Sequence, residues 1–90
     1  MLTRPFLKNL ATKAHQLHPI VIVGGKGLTI QVHQEIDAAL TAHELLKIRI
    51  NAETREARQQ MIAEIAEHHQ ATIVQAIGHV LVLYRPKKED

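Results

Sequence analysis

The most constraining feature of this sequence is a short β-branched run that leads through glycines into the start of a helix. The run covers residues 20–23, follows Pro19, and is followed by Gly24, Gly25, Lys26 and Gly27. Such a run between a proline and a glycine predicts a short strand that is buried on both faces. Thr29 is a suitable N-cap for a helix. The segment therefore predicts a strand, a glycine loop and a helix in direct succession.

Three segments carry the apolar spacing of amphipathic helices. The first is capped by Thr3 and ends before Pro19, the second runs from Thr29 to about Ala42, and the third begins within residues 51–54. We expect their apolar positions to face a core, and these positions are Leu7, Leu10, Ala11, Ala14, Leu17, Val32, Ile36, Ala39, Leu40, Ala57, Met61, Ile62, Ile65 and Ala66.

A second predicted strand, residues 46–50, alternates strictly between apolar and basic side chains. Because successive strand residues point to opposite faces, Lys47 and Arg49 are expected to project together, away from the apolar side chains. Two cations on one strand face suggest a surface for an anion.

Two further strands are predicted by the apolar runs 71–77 and 80–84, and Gly78 with His79 between them suits a tight hairpin. The last run is apolar on both faces, so we expect it in the centre of the sheet. The order α-β-α-β-α-β-β predicts an α/β fold. We expect a single open domain over residues 1–90, in which helices pack against a four-stranded mixed sheet.

Charge is distributed unevenly along the chain, although the formal net charge is only +2. Residues 1–34 contain four basic and no acidic residues, whereas the remainder contains seven basic and nine acidic residues. This asymmetry predicts a basic face directed at a polyanion, and the modest total disfavours a protein that coats nucleic acid indiscriminately.

Cysteine is absent, which excludes disulfides and thiolate ligands and fits a reducing compartment. No apolar run approaches the length that a bilayer requires. We therefore expect a soluble cytoplasmic protein without membrane contact.

The glycine loop has two possible explanations. A strand that passes through glycines into a helix start exposes N–H groups at the positive end of the helix dipole, which favours phosphate binding. Gly25 and Gly27 lack Cβ atoms, so the backbone there can adopt positive φ and approach a phosphate, and Lys26 adds a full charge. Alternatively, the glycines serve only the geometry of a tight β-to-α turn. The spacing from Gly24 to Gly27 is also that of the loop with which K-homology domains bind nucleic-acid backbone.

Nucleotide cofactors are disfavoured by spacing. The residues around Lys26 do not follow the Walker pattern. A dinucleotide fingerprint beginning at Gly25 would require glycine or alanine at position 30, which is Ile30. We expect neither a cofactor nor a small-molecule substrate.

Seven histidines raise the question of a metal site. No two of them are four residues apart, the spacing of a helical zinc site. We therefore expect His15, His18, His68 and His69 to be surface or helix-end residues, and we predict no metal ligand. No Ser-His-Asp arrangement is apparent. The sequence accordingly predicts no catalytic residue and no enzyme.

Only two aromatic residues, Phe6 and Tyr84, are available for base stacking, so recognition of phosphate and shape is the expected mode of nucleic-acid binding. The candidate residues for binding nucleic acid are Gly24, Gly25, Lys26, Gly27, Lys8, Lys13, Lys47, Arg49, Arg55 and Arg85. Two other functions remain open. One is an adaptor whose basic face binds an acidic protein, and the other is a protein that binds a small phosphate-containing ligand.

Three segments together resemble the chloroplast RNA splicing and ribosome maturation domain, and specifically the free-standing bacterial YhbY-like proteins. The segments are residues 18–29, residues 43–50 and residues 75–86, and they span nearly the whole chain at the spacing of that family.

The resemblance implies an open α/β fold similar to the C-terminal domain of translation initiation factor three. It also implies RNA binding through the Gly-x-x-Gly loop, and association with ribosomal RNA in the precursor of the large ribosomal subunit. Gly24 and Gly27 match the loop glycines and enclose Lys26, whereas His79 stands where we would expect a lysine. The family's other basic positions match Lys47, Arg49, Arg55 and Arg85.

Overall fold

The computed structural model describes residues 3–87, and its elements follow the predicted order. The helices are α1 (Arg4–Ala14), α2 (Ile30–His43) and α3 (Arg55–His69). The strands are β1 (Val21–Val23), β2 (Leu45–Ile50), β3 (Thr72–Ile77) and β4 (Val80–Tyr84). Residues 1, 2 and 88–90, which the single-domain prediction includes, lie outside the described residues.

Each helix begins after a threonine that caps it. Thr3, Thr29 and Thr54 each accept a hydrogen bond from the N–H three residues later, at 3.3, 3.2 and 3.0 Å. These bonds satisfy N–H groups that have no partner inside the helix. The two predicted caps, Thr3 and Thr29, are thereby confirmed, and Thr54 lies within the segment predicted to cap α3.

The four strands form one mixed sheet in the order β1-β2-β4-β3. β1 and β2 are parallel, and the other two pairings are antiparallel. Ile77 pairs with Val80 across the two-residue turn, where Gly78 has a φ of +55°. The prediction of a mixed sheet with a central last strand and a terminal hairpin is confirmed.

One face of the sheet packs against α2 and α3 and forms the core. Strand residues alternate between faces, and Lys47 and Arg49 point away from this core as predicted. The strand side of the core consists of Val21, Val23, Leu46, Ile48, Ile50, Leu81 and Leu83, and the helices contribute Ile36, Ala39, Leu40 and Ile65.

β1 is an edge strand, and this corrects the prediction that it is buried on both faces. Val21 and Val23 are buried, but Ile20 is 53% and Ile22 is 57% exposed. The cause is the position of α1, which packs across β2 and β3 on the second face. The outer face of β1 is therefore left open to solvent.

No helix within residues 3–87 has both the length and the apolar character that a bilayer crossing requires.

Candidate functional site

The predicted glycine loop is a tight turn at the carboxyl end of β1. Gly27 N donates to Gly24 O at 3.0 Å, so Gly25 and Lys26 occupy the two central positions of a four-residue turn. We call residues 24–27 the glycine turn. Among residues 3–87, the N–H groups of Gly25 and Lys26 have no hydrogen-bond partner. Two backbone donors therefore stand at the tip of the turn, next to an exposed lysine side chain.

The three glycines of this turn differ in whether the backbone conformation requires a glycine. Gly27 has a φ of +73°, a conformation that a side chain disfavours, and a Cβ there would lie 3.7 Å from Met61 Cε. Gly24 and Gly25 have no positive φ. A Cβ on either would meet no described atom within 4 Å. Turn geometry therefore accounts for Gly27 but not for the other two, which leave open space beside free amides.

Two N–H groups at the start of α2 are already bound within the chain. Thr29 Oγ1 accepts the Val32 N–H, and Thr29 N donates to Gly27 O at 3.1 Å. These bonds occupy two of the donors near the start of the helix. The N–H groups of Gly25 and Lys26, at the tip of the glycine turn, keep no partner among residues 3–87.

Two other connections lie at the same end of the sheet as the glycine turn. Asn51 N donates to Val23 O at 2.9 Å, which places the β2–α3 connection directly beside the turn. Ile50 N donates to His79 O at 2.7 Å, so the β3–β4 hairpin also ends here. The parallel pairing of β1 and β2 produces this arrangement, because parallel strands end at one edge of a sheet.

Three of the predicted cations belong to this end of the molecule. Lys26 lies in the turn, and Arg49 is directed toward it because its Nε donates to Asn51 Oδ1 at 3.3 Å. Arg55 is the first residue of α3, and it lies between the exposed carboxylates of Glu53 and Glu56 in the sequence. Those two carboxylates partly offset its charge.

Arg49 also belongs to an open part of the second sheet face, beyond the reach of α1. Ile22, Arg49, Val80 and Ile77 are successive register partners across all four strands. Ile22, Arg49 and Ile77 are exposed. This row, which we call the open row, forms an apolar strip with one central cation beside the glycine turn.

The other four predicted cations do not join this end. Lys8 and Lys13 lie on the exposed side of α1. Lys47 is half-buried, and its Nζ donates to Ala14 O and Leu17 O, both at 3.3 Å. Its charge is therefore engaged with the end of α1.

Arg85 lies at the opposite end of the sheet, where its backbone N–H donates to the backbone carbonyl of Glu44 at 2.9 Å. Its guanidinium pairs with Asp37 Oδ1 at 3.0 Å. It also donates to Asp37 O, Thr41 Oγ1 and His69 O at 3.1–3.3 Å. The structure thus uses this arginine to join α2, the end of α3 and β4.

A histidine cluster is the feature that the sequence did not predict. His33 on α2 meets His68 and His69 at the end of α3, and His33 Nδ1 lies 3.0 Å from His69 Nε2. His68 and His69 end α3, in line with the prediction of surface or helix-end residues, and His69 is only 5% exposed. Burial, reinforced by the neighbouring His68 and His33, lowers the pKa of His69 to about 4. His69 is therefore uncharged at neutral pH.

The cluster lines a surface cleft of about 980 Å³, together with the exposed Ile30 and the Arg85 side chain. Its members are 35 and 36 residues apart in the sequence, so no local spacing indicates it. The amphipathic periods of α2 and α3 place His33 and His69 near the helix interface, which is a sequence signal beside the number of histidines.

The protein is an α/β domain in which an exposed glycine turn connects the edge strand β1 of a mixed sheet to the capped helix α2. The chain belongs to the CRS1 / YhbY (CRM) domain family, whose model matches residues 2–85. The resemblance found in three sequence segments is thereby confirmed.

Individual relatives cover almost the whole chain. A Haemophilus influenzae protein named "RNA-binding protein" is 48% identical over 86 residues, covering 96% of this chain and 84% of the relative. A Bacillus subtilis protein named "Probable RNA-binding protein YqeI" is 33% identical over 90 residues, covering 100% and 94%. The solution structure of a hypothetical protein from Staphylococcus aureus matches with a TM-score of 0.84 at 29% identity, covering 100% of this chain and 94% of that one.

Proposed function

We propose that this chain binds RNA and that the glycine turn is its principal contact with the phosphate backbone. The relatives whose names state RNA binding align over nearly the full chain, so the aligned region includes the turn. Membership of the CRM family supports the same function.

The observation that carries the proposal is the open space at Gly24 and Gly25. Both have ordinary φ values, and neither would clash if it carried a Cβ. A phosphate could approach the free amides of Gly25 and Lys26 only where no side chain intervenes. Two N–H donors and an ammonium group around one phosphate form charge-assisted hydrogen bonds, which are stronger than neutral ones.

The contact surface extends from the turn to Arg49 and the open row, with Arg55 contributing less because of the carboxylates that flank it. Lys8 and Lys13 add positive charge on α1. Lys47 and Arg85 stabilise the fold and do not contact RNA, since their N–H groups already donate to carbonyl oxygens. The bound RNA is ribosomal RNA in the precursor of the large ribosomal subunit in the cytoplasm. The family resemblance motivates that part of the proposal.

Filling the open space tests the turn directly. RNA affinity would be measured by fluorescence anisotropy for Gly25→Val and for Ala63→Val, a control that places the same valine side chain on the exposed side of α3. We expect Gly25→Val to weaken binding roughly tenfold or more, because charge-assisted hydrogen bonds contribute about 1.5–3 kcal/mol each. The control should bind as the natural chain does. Equal affinities for all three would remove the turn from the site.

Salt dependence tests the phosphate contact. The logarithm of the association constant should fall with the logarithm of salt concentration, with a slope of about −0.7 to −0.9 per neutralised phosphate. A flat salt dependence would contradict backbone binding.

Sedimentation with ribosomal particles tests the partner. The chain should move with precursors of the large subunit and be released by ribonuclease. Retention after ribonuclease would instead indicate the protein adaptor. A one-to-one calorimetric isotherm with inorganic phosphate or a mononucleotide would indicate the small-ligand protein.

A further inference from the structure

The histidine cluster has the composition and the compactness of a metal site. One ring nitrogen from each of His33, His68 and His69 lies within 4.8 Å of the other two. The ring centroids of His33 and His68 are 4.1 Å apart, and those of His68 and His69 are 4.7 Å apart. A hydrogen bond explains why the rings of His33 and His69 lie next to each other. No such bond explains the position of the exposed His68 ring, since within residues 3–87 His68 makes no side-chain hydrogen bond.

These separations suit a tetrahedral ion. Zinc binds imidazole nitrogen at about 2.0–2.1 Å, so two ligand nitrogens in a tetrahedron are about 3.3–3.4 Å apart. His33 Nδ1 and His69 Nε2, at 3.0 Å, are already near that distance. His68 is exposed, so its ring is free to turn toward the other two nitrogens.

A carboxylate lies on the side of His33 that faces away from His69, where metal-binding histidines usually have such a group. Glu64 Oε2 lies 3.5 Å from Nε2 of His33, the nitrogen that does not face His69. A ligating imidazole usually donates its second N–H to a carboxylate or carbonyl, which fixes the ring and its tautomer. Glu64 can thus hold His33 with Nδ1 directed at the ion.

The backbone that carries the ligands is itself fixed. Arg85 Nη1 donates to His69 O at 3.3 Å, and the same side chain binds Asp37 and Thr41, one and two turns after His33 on α2. The two helix segments are therefore held together by contacts other than the hydrogen bond between the imidazoles of His33 and His69, which a bound ion would replace.

We propose that His33, His68 and His69 form a binding site for a divalent transition-metal ion of the zinc class. His33 binds through Nδ1, Glu64 orients it, and the fourth position faces the adjoining cleft, where water or a small anion completes the coordination. Three imidazole ligands favour Zn²⁺, Ni²⁺ or Cu²⁺ over Mg²⁺ or Ca²⁺, which prefer oxygen. The bound ion joins the first turns of α2 to the end of α3. This site shares no residue with the glycine turn, so it does not depend on the proposed RNA binding.

Calorimetric titration of the full chain, without a histidine tag and after treatment with chelator, tests the site. We expect one Zn²⁺ per chain, and no heat of binding with Mg²⁺. When free Zn²⁺ exceeds the dissociation constant a hundredfold, the folding equilibrium constant should rise about 100-fold, which raises the melting temperature by roughly 10–20 °C. Co²⁺ should give the visible absorption bands of a tetrahedral complex.

Three variants locate the site. His68→Gln removes an exposed ligand that the fold does not need, and should weaken Zn²⁺ binding by about 100-fold or more. Glu64→Gln should weaken it by roughly 10-fold, as loss of an orienting carboxylate does. His15→Gln, which replaces an exposed histidine at the C-cap of α1, should bind like the natural chain. Nitrogen NMR of the imidazoles should show coordination of His33 through Nδ1.

The proposal is overturned if Zn²⁺ fails to bind one-to-one, or if His68→Gln binds as tightly as His15→Gln. It is also overturned if the stoichiometry is one ion per two chains, since the ligands would then come from two molecules. RNA affinity measured on the same samples reports separately on the glycine turn.

Discussion

The Nζ atom of Lys47 lies 3.3 Å from the carbonyl oxygen of Ala14, the last residue of α1. The same ammonium donates to Leu17 O at 3.3 Å. A cation at a helix C-terminus interacts favourably with the helix dipole, and here it adds to the hydrogen bond that Ala14 O already accepts from Leu17 N at 3.0 Å. Lys47 therefore attaches α1 to the central part of the sheet, and its charge is a structural feature of the fold.

Replacement of Lys47 by methionine should destabilise the protein. Methionine keeps most of the apolar stem but removes both Nζ hydrogen bonds, which leaves Leu17 O without a partner among residues 3–87, whereas Ala14 O keeps the N–H of Leu17 at 3.0 Å. Because hydrogen bonds to charged groups contribute about 1.5–3 kcal/mol, we expect the free energy of unfolding to fall by about 2 kcal/mol. Urea denaturation followed by circular dichroism measures this change. A loss below about 0.5 kcal/mol, the range of ordinary surface substitutions, would contradict the assigned role.

Arg49→Met is the matched comparison, and it should affect RNA binding rather than stability. Arg49 lies on the same strand face two residues further on, but it is exposed and bonds only Asn51 among the described residues. We expect a stability change within about 0.5 kcal/mol. The salt slope of RNA binding should become shallower by about 1, as for the loss of one phosphate contact. An unchanged slope would exclude Arg49 from the contact surface.

Lys47 and Arg49 also show how far sequence reasoning reaches. Strict alternation along β2 predicted that both face away from the core, and this was confirmed because side-chain direction in a strand follows a fixed two-residue period. Alternation does not predict that α1 covers one position and not the next. The prediction for β1 was wrong for the same reason, because β-branched residues predict a strand but not whether it lies at the edge of a sheet or under a helix.

Substitution of the glycines should separate stability from binding. Gly27→Ala places a side chain at a φ of +73° and should cost about 1–2 kcal/mol in stability. Gly25→Ala has no such strain, and it should leave stability unchanged or raise it by about 0.4–1 kcal/mol by restricting the unfolded chain. Thermal unfolding of the two variants, compared with their RNA affinities, makes the distinction.

The outcome expected for Gly25→Ala is a chain that is at least as stable as the natural one and binds RNA more weakly. If both variants lost stability to the same extent, the turn would need its glycines for folding alone. The Gly-x-x-Gly pattern predicted a special turn correctly, but only the positions of the amides and of Met61 distinguish the two kinds of glycine.

The histidine cluster lies beyond what local sequence patterns can show. Helical metal sites are recognised when two ligands are one turn apart on the same helix. Here the ligand set depends on the packing of α2 beside the end of α3, and that packing follows from the core residues of both helices. Seven histidines in the composition were the available signal, and their spacing pointed away from a site.

Arg85 offers the last test, because its ion pair and its hydrogen bonds to carbonyl groups can be separated. Asp37 is mostly exposed, and exposed ion pairs contribute about 0–1 kcal/mol, so Asp37→Asn should reduce stability by less than about 1 kcal/mol. Arg85→Met removes the donors to Asp37 O and His69 O as well, and should cost about 2–3 kcal/mol.

A double-mutant cycle of Arg85→Met and Asp37→Asn, measured by urea denaturation, reports the coupling of the two charges. We expect it to be under about 1 kcal/mol, because most of the effect of Arg85 comes from backbone carbonyls that Asp37→Asn leaves in place. A coupling equal to the whole Arg85→Met effect would mean that the ion pair alone holds α2 to β4. The salt slope of RNA binding should be the same in Arg85→Met as in the natural chain, since the guanidinium is occupied within the fold at the end of the sheet opposite the glycine turn.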